Sequence, residues 1–118
     1  MFDRPVRDVT VRSGTQTNCG GFAKILVDVE PADRFEFVDA HDSVWTGSCD
    51  DELIGWCVAA VRRGVVEELA LVGVGESPAV RFVLRRIQVH QVDSAEFRYE
   101  AVGRMAVAEA LRRLTDSC

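Results

Sequence analysis

Residues 77–97 read SPAVRFVLRRIQVHQVDSAEF, and the way this stretch divides decides the fold. Its first half alternates, with Val80, Phe82 and Leu84 on one face, which is the pattern of a half-buried strand. Its second half contains Asp93-Ser94-Ala95-Glu96, the form of a capping box with Asp93 as N-cap and Glu96 three residues later. A helix is therefore expected to run to about Leu114, with Phe97, Ala101 and Met105 on one side and Val102, Ala106 and Ala110 adjacent. Gly103 inside that helix costs roughly 1 kcal/mol against alanine, and close approach of a neighbouring backbone would account for it. His90 then lies between a strand end and a capped helix, at one extremity of a sheet.

The pattern upstream supplies the rest of the architecture. In FAKILVDVEP (22–31) Ile25, Val27 and Val29 face one side and Lys24, Asp28 and Glu30 the other, a strand ended by Pro31. PADRF is a turn and RFEFVDA (34–40) a second strand carrying Phe35 and Phe37, so the two are expected to pair as a hairpin. RDVTVRS (7–13) is a further strand through Val9 and Val11, followed by the polar loop SGTQTNCGG. Between Asp51 and Leu69, Leu53, Cys57, Val61 and Val65 recur every four residues, with Ala60 and Leu69 beside them and Arg62, Arg63, Glu67 and Glu68 on the wet face. The acids at its start suit the helix dipole. The order predicts an α+β, two-layer sandwich, a small β-sheet with two helices on one face, built by residues 1–118 as one domain.

Composition narrows the function classes. The chain has 118 residues, 47% hydrophobic and 28% charged, and no apolar run long enough to span a membrane. Its start, MFDRPVRDVT, lacks the apolar segment of a secretory signal, so a cytoplasmic protein is expected, and its own Met1 and domain length point to a free-standing chain. Cys19, Cys49, Cys57 and Cys118 form no C-x-x-C pair and stand in no zinc-type spacing with His41 or His90; free thiols are expected, with Cys57 in the core. Thirteen arginines against the single Lys24 point to a GC-rich bacterial coding sequence. The net charge of −5 argues against a generic nucleic-acid coat. Charge is also segregated: nine acids lie between Asp28 and Glu52 against Arg34 alone, whereas Arg81, Arg85 and Arg86 precede His90 with no acid among them.

Catalytic and cofactor motifs are absent. There is no G-x-x-x-x-G-K-[ST], and VGVGES (72–77) follows a helix and precedes a strand, the reverse of a dinucleotide loop. Ser94 near His90 has no orienting partner, Asp50-Asp51 and Glu67-Glu68 suit helix-start and solvent-face roles, and Lys24 shows no serine–lysine pattern. Trp45 and Trp56 are open to assignment as a surface anchor and a core residue. The expectation is a non-enzyme with no cofactor and no metal.

The segment Val80–Ala110, with His90, Val92-Asp93-Ser94, Glu96, Gly103-Arg104-Met105-Ala106 and Glu109-Ala110, closely resembles the last part of domain IV of bacterial elongation factor G. FAKILVDVEPADRFEFVDA (22–40), with Val29-Glu30-Pro31 and Phe35-Glu36-Phe37-Val38, is similar to that domain's central hairpin. Ala60-Val61-Arg62-Arg63-Gly64 with Glu67-Glu68 is similar to its first helix, and TQTNCGG to its first tip loop. The resemblance covers roughly residues 10 to 113. It implies a ribosomal-protein-like domain with a left-handed strand–helix–strand crossover, a hand opposite to the usual rule. It also implies a transfer-RNA mimic whose tip enters the decoding centre of the small ribosomal subunit, with a histidine matched by His90.

The contact set so implied is His90, Arg85, Arg86, Gln91, Lys24 and Asn18, with histidine acting as donor and stacking surface for RNA. Departures are also visible. The GTPase domain is missing, and NCGGFAK (18–24) is slightly shorter than the family's loop, with Phe22 for a tyrosine and Lys24 for a histidine. Arg86-Ile87 stands where the family has an Asp-Gly turn. His90 also reads as a solvated residue ahead of a helix cap, and Arg85 and Arg86 as charges protecting a strand edge. The function expected is a ribosome- or RNA-associated module that modulates translation. The alternative is a protein-interaction or scaffold domain, with a protein partner or a homodimer; no membrane is involved in either.

Overall fold

Alternating apolar residues build four strands, and two apolar-striped helices cover one face of the sheet they form. The computed structural model describes residues 4–14, 22–46, 49–73, 79–89 and 96–116. The expected capping box at Asp93 and the connection through His90 lie outside them. In chain order the elements are β1 (Val6–Gly14), β2 (Phe22–Pro31), β3 (Glu36–Asp39), α1 (Asp51–Gly73), β4 (Val80–Gln88) and α2 (Glu96–Asp116). The sheet order is β1-β2-β4-β3; β2 is antiparallel to both β1 and β4, and β3 runs parallel to β4. Among the described residues no helix is long and apolar enough to cross a membrane.

The expected β2–β3 hairpin is not made, because β4 inserts between its two halves. A hairpin closing on 31–35 would set Glu30 beside Glu36, and like charges directly opposite destabilise a strand pair. With β4 between them, Arg81 bonds Glu36 at 2.8 Å on one side and Glu30 at 3.2 Å on the other. Phe37 lies beside Phe82 in the parallel register, their rings stacked with centroids 5.6 Å apart. A strand, a covering helix and a parallel neighbouring strand thus form one unit: β3, α1, β4.

Two bulges shape the sheet. Val6 pairs with Val29 and Val9 with Val27, so Arg7 and Asp8 together oppose Asp28. Asp8 adopts φ 58°, a left-handed conformation that aspartate tolerates better than most residues. In β4, Arg86 pairs with Leu26 but Leu84 with Val27, which leaves Arg85 as the extra residue. Strict alternation would have carried Arg86 into the core behind Val80, Phe82 and Leu84. The bulge turns Arg85 and Arg86 both outward and returns Ile87 to the buried side. Arg86 and Ile87 are therefore strand residues, not a turn, and β4 continues to Gln88.

Val9, Ile25, Val27, Val29, Phe82, Leu84 and Ile87 form the sheet's side of the core, and Cys57, Val61, Val65 and Leu69 the α1 side. On α2 the buried row is Tyr99, Val102, Ala106, Val107 and Ala110. This corrects the expected stripe: Phe97 is 57% and Met105 40% exposed. At 3.6 residues per turn Phe97 falls on the side of α2 roughly opposite Tyr99 and Val102, the side turned away from the sheet. Tyr99 takes the inner place instead, its hydroxyl donating to the Gln88 carbonyl at 2.7 Å. Gly103 does mark a close approach. A Cβ there would overlap the Val61 carbonyl, and one on Gly64 would overlap the Glu100 carbonyl, so the two helices cross backbone to backbone at these glycines.

Candidate functional site

Strand direction gathers the connections at one end. β1 ends at Gly14 opposite Phe22, where β2 begins, and β4 ends beside Lys24 at Gln88. The start of α2 is held there by Tyr99 on Gln88 and by Arg98, whose Nη1 donates to Ser13 Oγ at 3.1 Å. α1 also starts there: the Cys49 thiol donates to the Val89 carbonyl at 3.1 Å. Asp50 caps α1, its carboxylate accepting the Glu52 N–H at 3.2 Å and its carbonyl the Ile54 N–H at 3.0 Å. That is the helix-start role the sequence assigned to this acid.

Away from this end, the open face of the sheet is electrically balanced. The arginines of β4, segregated from the acids in sequence, lie against them in space. Besides Arg81 with Glu30 and Glu36, Arg85 bonds Asp8 at 2.6 Å and Asp28 at 3.3 Å. Arg7 reaches Asp28 and Glu30, each at 3.5 Å. Hydrogen bonding and attraction from Arg81 hold the Glu36 carboxyl below its ordinary range. Exposed pairs of this kind stabilise by about 0–1 kcal/mol each. Asp28 is different, because its side chain is only 12% exposed and it also accepts the Asp8 N–H at 2.9 Å. It ties the two bulges together across β2. Arg85 is thereby a structural cation of an interior strand, which replaces the reading of Arg85 and Arg86 as protection of a strand edge.

At the end itself the balance changes. Arg12 pairs with Lys24, and Lys24 with Gln88, in one row across β1, β2 and β4. Trp45, half-buried in the segment after β3, has the Lys24 ammonium 4.5 Å from its ring centre and the Arg86 guanidinium 5.9 Å away. Arg86 also donates to Asp42 at 3.2 Å. The Val44 N–H first, and then Arg86, hold the Asp42 carboxyl below its usual range. Among the described residues neither Arg12 nor Lys24 has an acidic partner. Of the residues singled out in the sequence, Lys24 and Arg86 are brought together and Arg85 is drawn off to Asp8 and Asp28; His90, Gln91 and Asn18 lie outside the described residues. Arg12 was missed, although a basic residue on each side of a glycine-containing loop was a usable signal. Trp45 was noted without its cations.

Among the described residues no group of three His, Cys, Asp or Glu side chains could hold a metal ion. No protein-family model matches the chain, and no curated protein does. Its fold is similar to part of a solved protein from Thermus thermophilus, with a TM-score of 0.62 and 18% identity. The match covers 91% of this chain and 17% of that one. The chain therefore spans about a sixth of the length of the protein it matches, and at this identity the likeness shows the fold alone.

Proposed function

We propose that this chain is a non-catalytic ribosome- or RNA-associated module related to domain IV of elongation factor G, acting through the end of the sheet at which its connections meet. The observation that carries the reading is the cluster of Lys24 and Arg86 around Trp45 at that end, with Arg12 opposite Lys24 on the neighbouring strand. Cations there neutralise phosphates, and an aromatic among them suits bases better than duplex backbone. The net charge of −5 fits an acidic body that meets RNA at one end only. A fold that occurs elsewhere as a sixth of a long chain fits a domain descended from a multidomain factor.

Co-sedimentation with small subunits and whole ribosomes across a salt series tests the proposal. Binding should weaken linearly on logarithmic axes, and Lys24→Ala or Arg12→Ala should each flatten that slope by about 0.7–0.9, one phosphate contact. Absence of binding by the intact protein at low salt would overturn it.

The second reading, a protein-interaction domain, draws on Trp56 and Val66, 42% and 43% exposed on the outer side of α1. Strand-to-strand dimerisation is opposed by the bulge at Asp8, which breaks the pairing edge of β1. A dimer at micromolar concentration that Trp56→Ala dissociates would favour this reading.

A further inference from the structure

We infer that this end of the domain prefers unpaired nucleotides to duplex RNA, stacking bases on two aromatic–cation pairs, Trp45 with Lys24 and Phe97 with Arg98. The inference rests on the RNA reading above and goes further by naming the form of the nucleic acid. Phe97 stands in the first turn of α2 with 57% of its surface exposed, so its ring contributes little to the core. The Arg98 guanidinium lies 4.8 Å from its centre, and the same side chain donates to Ser13 near the end of β1. The cation beside the exposed ring is thus anchored to the sheet. Trp45 has the matching arrangement on the open side of the sheet, where Lys24 lies at the start of β2.

One pair therefore belongs to the helix layer and the other to the open face, on either side of the end where β1, β2 and β4 give way to connections. Each pair offers a ring for a base face, and Lys24, which has no acidic partner among the described residues, offers a positive charge for the adjoining phosphate. Duplex RNA hides its base faces in the stack and presents phosphates and hydroxyls, for which aromatic rings are not needed. An unpaired strand exposes both, and stacking tolerates any base because every base has a π-face. Among the described residues, Glu96 is bound by Arg63 at 2.6 Å and Asp42 by Arg86.

The test uses the full chain with Trp56→Phe, which leaves Trp45 as the one tryptophan. Its fluorescence is titrated with oligoadenylate and, separately, with a blunt RNA hairpin of equal charge. Oligoadenylate should quench Trp45 saturably and bind more tightly than the hairpin. Phe97→Ala and Lys24→Ala should each weaken binding about fivefold or more. Phe97→Ala should leave the thermal midpoint unchanged, since the ring is exposed, and this separates lost stacking from lost folding. Equal or tighter hairpin binding, or unchanged affinity in Phe97→Ala, would overturn the inference. Ribosome co-sedimentation that survives Trp45→Leu with Phe97→Ala would sink the stacking idea while leaving the RNA reading in place. Loss of both ribosome and oligonucleotide binding by the intact chain would remove the two together.

Discussion

Two helical glycines should respond in opposite directions to the same substitution. Gly55 lies in α1, and a Cβ added there would meet nothing within 4 Å. Gly55→Ala should then gain the helix-propensity difference, about 1 kcal/mol. Gly103→Ala gains the same term but places its methyl against the Val61 carbonyl, and 3.0 Å from the Val65 nitrogen. Both obstacles are backbone, so no rotamer change relieves them and the helices must part. Overpacking of this sort costs about 1–3 kcal/mol, and a backbone clash belongs near the upper end. The net loss should be about 1–2 kcal/mol, placing the two variants about 2–3 kcal/mol apart. Urea unfolding followed by far-UV circular dichroism measures this directly, with unchanged m values as the sign that the denatured state is unaltered. A Gly103→Ala protein at least as stable as the parent would refute the backbone-to-backbone crossing of α1 and α2.

Three further outcomes follow from the charges. Asp28→Ala removes the acceptor shared by Arg7, Arg85 and the Asp8 N–H, and should lower the unfolding free energy by about 1–3 kcal/mol in the same assay. Arg85→Ala should also lower stability yet leave the salt slope of ribosome binding unchanged, whereas Lys24→Ala should do the reverse; a flattened slope in Arg85→Ala would return that residue to the contact set. Glu109 is held down to about 2 by Arg112, chiefly through hydrogen bonding, with Arg113 helping. Its folded value thus lies below the ordinary 4.5, so its contribution is complete above pH 4.5 and fades as pH falls toward 2. Glu36 and Asp42 are lowered in the same sense. Urea midpoints in Glu109→Gln should therefore fall less steeply than the parent's across that window.

Elements announced by local pattern were legible in the sequence. The bounds of β2 follow from alternation and Pro31, and the glycine in α2 correctly implied a close neighbour. Non-local facts were not legible. The alternation of β2 and β3 is the same whether they pair with each other or flank a third strand. What separates the two outcomes is the position of Arg81, forty-five residues beyond Glu36. The bulge at Arg85 was hidden for a related reason, since alternation fixes a face only while register is unbroken. At the candidate site, Lys24 and Arg86 were picked out, but their meeting on Trp45 depends on where the segment after β3 turns back. Phe97 was assigned inward because its row has helical spacing. Tyr99 outcompetes it by offering a hydroxyl to the end of β4.

The insertion of β4 between β2 and β3 also dictates the order in which the chain can become ordered. Among the described residues the only sheet partner of β3 is β4. While the chain is being synthesised, β1 and β2 can close on each other early. β3 and α1 must wait until β4 emerges with their apolar sides uncovered. Contacts so distant along the chain make for slow folding and for intermediates that expose apolar surface. A fragment ending before Val80 would hold about half of the core's buried residues and lack the strand that joins β2 to β3. Nascent chains should accordingly remain protease-sensitive until β4 and α2 have cleared the exit tunnel.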